Sequence, residues 1–114
     1  MSRLLAATLG RLTPRYRTLS QWIPIYDGII SSRNLSHKTL ANRRTRWRYL
    51  VAELGNRTIS SIRPHEIAQV IRNLHDDHPD MAHRVLIEAR SMFYEALANG
   101  WTDTNPALAL KQSP

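Results

Sequence analysis

Four stretches of the sequence repeat apolar residues every three or four positions, and each is bounded by residues that start or stop a helix. That pattern commits the chain to packed helices before anything else is read. The first stretch runs from about Thr18 to Ser32 and carries Leu19, Trp22, Ile23, Tyr26, Ile29 and Ile30. Pro24 falls within its first two turns, where a missing amide is tolerated best, and marks either the true start or a bend. The second begins at Ser36, whose hydroxyl can cap the following amides, and ends at Gly55; its stripe is Leu40, Trp47, Leu50, Val51 and Leu54. The third opens on Pro64, a residue suited to the first helical position, and continues through Ile67, Val70, Ile71 and Leu74 until His75 to Asp80 breaks it. The fourth spans about Asp80 to Asn99, with Val85, Leu86, Ala89, Met92, Phe93, Ala96 and Leu97 on one face and Asn99-Gly100 as a left-handed stop. Asn105-Pro106 opens a last turn that trails off through Leu108, Leu110 and Lys111, and strand patterning is confined to Thr58-Ile59-Ser60.

The expected fold is all-α, a compact four-helix bundle with short loops. A chain of 114 residues makes one such domain. It can bury roughly two thirds of its unfolded surface, so it needs neither disulfides nor a structural metal. The absence of cysteine removes thiol catalysis and the common zinc-finger arrangements. No apolar run approaches the roughly 18 residues that span a bilayer, so no membrane partner is expected. Residues 1 to 17 hold four arginines and no acid and read as a flexible basic arm ahead of the fold; a targeting presequence is the alternative. Residues 111 to 114 read as a tail.

Charge narrows the function. Of sixteen Lys and Arg residues fourteen are arginine, and against nine acids they give a net charge of +7. Residues 1 to 63 carry a balance of +10, with Asp27 and Glu53 their only acids, whereas residues 64 to 114 carry −3. A folded domain with one strongly basic half presents a one-sided positive field, which suits a polyanion. Arginine forks two hydrogen bonds onto a phosphate or a guanine edge, so nucleic acid is the expected partner, with a merely solvated basic surface or a membrane-surface patch as the alternative.

The second helix concentrates this charge: Lys38, Arg43, Arg44, Arg46 and Arg48 lie within eleven residues, with no acid before Glu53. On a helical wheel Lys38, Asn42, Thr45, Arg46 and Tyr49 fall away from the apolar stripe, while Arg43 and Arg44 flank it. Ser36 and Thr39 sit beside the amides of the helix N-terminus, a phosphate site by dipole and by hydrogen bonding. Asn42 and the arginines are types that read base edges in a major groove. A solvated face is the plain alternative, but such a face interleaves acids for i,i+4 pairs and this one does not. His83, Arg84 and Arg90 on the fourth helix form a second candidate surface, although Arg84 and Glu88 are also spaced as an intrahelical ion pair.

Enzyme signals are thin. His75-x-x-His78 with Asp76, Asp77 and Asp80 is better read as a solvated loop than as a metal site. There is no glycine-rich phosphate loop, no Gly-x-Ser-x-Gly elbow and no His-Glu-x-x-His. Neither a cofactor nor catalysis on this chain is expected.

The order of signals resembles a known family. Leu35-Ser36-His37-Lys38-Thr39-Leu40, then Trp47, Leu50 and Leu54-Gly55, then Thr58 to Ile67, then Arg84, Leu86, Ala89, Arg90, Met92-Phe93, Ala96 and Asn99-Gly100-Trp101, ending at Asn105-Pro106-Ala107, resemble the core-binding domain of phage-integrase-type tyrosine recombinases. The resemblance covers residues 18 to 110. It implies a SAM-like four-helix bundle, in a cytoplasmic and nucleoid-associated protein, that clamps double-stranded crossover-site DNA through its second and fourth helices; these map onto the face of Lys38, Thr39, Asn42, Arg43, Arg44, Arg46 and Arg48 and onto the region of His83 and Arg84. It also implies a separate C-terminal catalytic domain as partner, expected after Asn105-Pro106 and absent from this sequence, and other recombinase protomers assembled on DNA. Arg43 departs from the family, which often has an aromatic residue there. The rival readings are a helical protein-interaction domain and a free-standing helix-turn-helix regulator; the latter would need a tighter turn than Gly55 to Arg63.

Overall fold

A computed structural model of the chain describes residues 17–110. The basic arm, apart from Arg17, and the tail from residue 111 lie outside the described residues. The four expected helices are present: α1 Leu19–Ser31, α2 His37–Leu54, α3 Pro64–His75 and α4 Pro79–Ala98. Their ends follow local chemistry. Thr18 caps α1 in a reciprocal box with Gln21: its hydroxyl accepts the Gln21 amide, while the Gln21 side chain accepts the Thr18 amide. Helix α1 therefore starts before Pro24, which lies inside it. The Ser36 hydroxyl accepts the Thr39 amide at 3.1 Å. Pro64 and Pro79 occupy the first turns of α3 and α4. Gly100 ends α4 at φ 77°, the left-handed geometry that favours glycine.

Thr58-Ile59-Ser60 departs from its strand-like pattern. Ile59–Ser61 form one 3₁₀ turn, closed by the Ser61 amide and hydroxyl, both donating to the Thr58 carbonyl. The only extended pairing among the described residues is an isolated bridge between Thr18 and Thr58. Around it the Leu19 amide donates to the Arg57 carbonyl and the Ile59 amide to the Arg17 carbonyl, lacing the start of α1 to the loop after α2.

Helix α4 is the centre of the bundle and packs against the other three helices. Its Val85, Ala89, Met92, Phe93 and Ala96 are fully buried, each large side chain contributing ~1.5–3 kcal/mol of transfer free energy. Leu97, expected in that stripe, is instead exposed at the helix end. Trp22 anchors α1 to α4 by donating its indole N–H to the Met92 carbonyl at 3.2 Å, and the Trp101 ring packs against the Trp22 ring, tilted by 50° with the centroids 5.3 Å apart. The Arg17 guanidinium covers the Trp101 ring at 4.5 Å. Among the described residues no helix is long and apolar enough to cross a membrane.

Candidate nucleic-acid interface

Helix α2 lies on the surface with Lys38, Thr39, Asn42 and Arg48 exposed and Arg46 half-buried, and the first turns of α4 expose His83 and Arg84. The fold brings the two sequence-predicted surfaces together. A cleft of about 450 Å³ opens between α2 and the start of α4, walled by Asn42, Thr45 and Arg46 on one side and by Asp80, Met81 and Arg84 on the other. The loop before α4 adds Asp77 and His78. Lys38, Arg46, Arg48 and Arg84 make no ion pair with a described residue, so their charge is available to a ligand. At the start of α2 the Ser36 cap engages Thr39 alone, through its amide and its hydroxyl. The preceding amides of the first turn have no intrahelical carbonyl to bond.

Three of the expected DNA-facing arginines are engaged by groups of the protein itself, Arg43 and Arg90 partly buried and Arg44 at the surface. Arg43 turns inward because Glu88, only 2% exposed on α4, needs a counter-charge. Its Nε and Nη2 donate to the Glu88 carboxylate at 3.0 Å, and Nη2 also donates to the Tyr26 hydroxyl at 3.0 Å and Ser91 Oγ at 3.1 Å. Arg44 forks onto Asp27 of α1 with two bonds of 2.8 Å, which neutralises its outward charge. Arg90 donates to the carbonyls of Ala107 and Leu110, and Asn105 donates back to the Arg90 carbonyl at 3.0 Å. It holds the chain after α4 against that helix. The Arg84 and Glu88 pair suggested by their spacing does not form, because Glu88 is already committed to Arg43.

These pairings tune the titrating groups. Hydrogen bonds from Arg44 hold the Asp27 carboxyl below the usual carboxylate range. Burial, reinforced by the Glu88 carboxylate, pushes the Tyr26 phenol well above its ordinary value, so Tyr26 stays neutral and donates to Glu88 at 2.6 Å. The sequence reading missed this four-residue network. Its signal was present, since Glu88 sits in helical register with buried Val85, Ala89 and Met92. The acidic lining of the cleft by Asp77 and Asp80 was also missed as part of the interface, because it depends on how the loop before α4 approaches α2. Among the described residues no group of three or more His, Asp or Glu side chains is placed to hold a metal ion.

Comparison with known proteins agrees with the geometry. The sequence pattern of the phage integrase central domain matches residues 28–113. An integrase of Enterobacteria phage 434 is 28% identical over 95 residues, covering 82% of this chain and 27% of that protein. Among solved structures, a lambda integrase dimer bound to a COC′ core site superposes with a TM-score of 0.85 at 25% identity, over 96% of this chain and 31% of that one. A lambda integrase tetramer bound to a Holliday junction gives the same TM-score and identity over 94% and 32%. The chain thus spans about a quarter to a third of the length of the integrases it resembles.

Proposed function

The chain belongs to the phage integrase central-domain family, and from that premise we propose that it is a DNA-binding module that contacts the backbone of duplex DNA across the face formed by α2 and the start of α4. The observation that carries this reading is the cleft itself. Two helices far apart in sequence converge there with Arg46 and Arg84 unpaired on opposite walls, and Lys38 stands on the same exposed helix as Arg46. Such groups bind phosphates irrespective of sequence, and Asn42 in the wall is a residue type that can pair bidentately with an adenine edge. Cleavage and joining of strands fall, on this reading, to a catalytic domain of the kind that the family resemblance implies. The structural relatives are a dimer and a tetramer on DNA, which supports action beside other protomers.

The arginines paired within the protein alter the expected electrostatics. The five cations crowded into the second helix would give a salt slope of roughly −4 to −5 if all touched phosphate. With Arg43 and Arg44 paired, Arg48 on the Arg44 side of α2 and Arg84 added, roughly three contacts remain on the cleft side, from Lys38, Arg46 and Arg84, and the expected slope of log affinity against log salt is about −2.7. Fluorescence-anisotropy titration of duplex DNA at several salt concentrations measures it, and Arg46→Ala/Arg84→Ala should bring the slope to about −1. A flat salt response, or a slope untouched by the double substitution, removes the cleft from the interface.

A further inference from the structure

The buried Arg43 and Glu88 pair has a chemistry that stability alone does not explain. Every side-chain hydrogen bond between α2 and α4 among the described residues is made by Arg43, to Glu88 or to Ser91. The pair sits directly behind the cleft. Arg43 is the neighbour of Asn42 and lies one turn from Arg46 on α2, and Glu88 lies one turn from Arg84 on α4. An apolar contact of the same volume would hold the two helices as strongly, because desolvating an ion pair consumes most of its Coulombic gain. What an apolar contact would not supply is direction. The fixed fork of Arg43, aimed at one carboxylate and at two hydroxyls on α1 and α4, allows few relative placements of α2 and α4, whereas methyl groups slide.

We infer that Arg43 and Glu88 are positioning residues for DNA binding: they set the separation and register of the two cleft walls, and with them the spacing between Arg46 and Arg84. This rests on the reading of the cleft as the DNA interface. It gives Arg43 a function that needs no contact with DNA.

The test replaces the pair in the full chain by apolar residues of similar volume, Arg43→Met/Glu88→Leu. The two charges cancel, so the net charge and the long-range field stay as they are. Tyr26 keeps a partner, since its hydroxyl also reaches Ser91 Oγ at 2.8 Å, so no buried polar atom of the network is orphaned. Circular-dichroism melting should give a midpoint equal to or above that of the parent. Anisotropy with a short fluorescein-labelled duplex should show affinity reduced about tenfold, the equivalent of one lost charged hydrogen bond, together with a shallower salt slope. Unchanged affinity and slope in the folded double variant overturn the inference while leaving the DNA reading intact. If the parent chain itself fails to bind duplex at low salt, the DNA reading falls and this inference with it. Glu88→Gln covers the case of a double variant that does not fold. It keeps the shape and an acceptor for Arg43 but weakens the pair, and a several-fold loss of affinity at a retained fold supports positioning, whereas parent-like binding overturns it.

Discussion

At the scale of single residues, the sequence identified which side chains are cationic and the fold decided which of them are free. Arg44 and Arg46 are two positions apart on the same helix, yet one is forked onto Asp27 and the other lines the cleft. Two positions turn the helix by about 200°, which points one toward α1 and the other toward the start of α4. The counter-charges were harder to read, because Asp27 is 17 positions from Arg44 and Glu88 is 45 from Arg43. Charge pairing over such separations follows from how helices dock, and no local pattern encodes it. The Asp27 pairing has a consequence in acid. The bonds from Arg44 hold the Asp27 carboxyl low in the folded state, and those from Arg57 do the same for Glu66. A carboxyl depressed by folding contributes stability that is complete above its unfolded value and lost as pH falls through the folded one. Stability should therefore decline below about pH 4. Urea denaturation across pH 7 to pH 3 should show a smaller decline for Asp27→Asn than for the parent, and superimposable profiles would assign the acid sensitivity elsewhere.

At the scale of elements, helix starts and stops were legible because they are local. Ser36, Pro64 and Gly100 do in the structure what their residue types dictate, while Pro79, expected in the breaker before the fourth helix, is that helix's first residue. The turn at Ile59 was not legible, since its Thr58 neighbour pairs with Thr18 only after α1 has docked. Gly55 is instructive in the same way. It ends α2 with an ordinary right-handed φ of −57°, so its backbone does not require glycine. Space does: a Cβ there would lie 2.5 Å from both Ser20 Oγ and the Val51 carbonyl oxygen, while the Ser20 amide donates to the Gly55 carbonyl. The Ser20 hydroxyl of α1 can rotate away, but the Val51 carbonyl belongs to the backbone of α2 and cannot. Gly28, inside α1, has nothing within 4 Å of the place an alanine methyl would take. The two glycines should therefore respond oppositely to alanine. Gly28→Ala should stabilise by about 0.5–1 kcal/mol through helix propensity. Gly55→Ala should cost about 1–2 kcal/mol, because a backbone oxygen must move. Denaturant midpoints of the two variants decide it, and a stabilised Gly55→Ala would mean that the last turn of α2 adjusts at little cost.

At the scale of the whole molecule, the asymmetry between a basic first half and an acidic second half was visible in the sequence, and its spatial meaning was not. Among the described residues the two halves meet at the cleft. Helix α4, from the acidic half, supplies Arg84 to the cleft, and the loop before it supplies Asp77 and Asp80 beside Arg46. The interface is thus a patch of mixed sign within a positive molecule, and the net charge and the local pattern should govern different steps of binding. Long-range attraction sets the association rate, and contacts in the cleft set the lifetime of the complex. Arg46 and Arg72 separate the two. Each alanine substitution removes one charge from the same +7, but Arg46 lines the cleft, whereas Arg72 lies on α3, bonded to Gln69 outside it. Stopped-flow mixing with duplex DNA should show both variants slowed in association by a similar, small factor. Dissociation should quicken by about tenfold for Arg46→Ala alone, as one charged contact is lost. Equal dissociation rates for the two variants would mean that the field of the whole molecule, and not the cleft, holds the DNA.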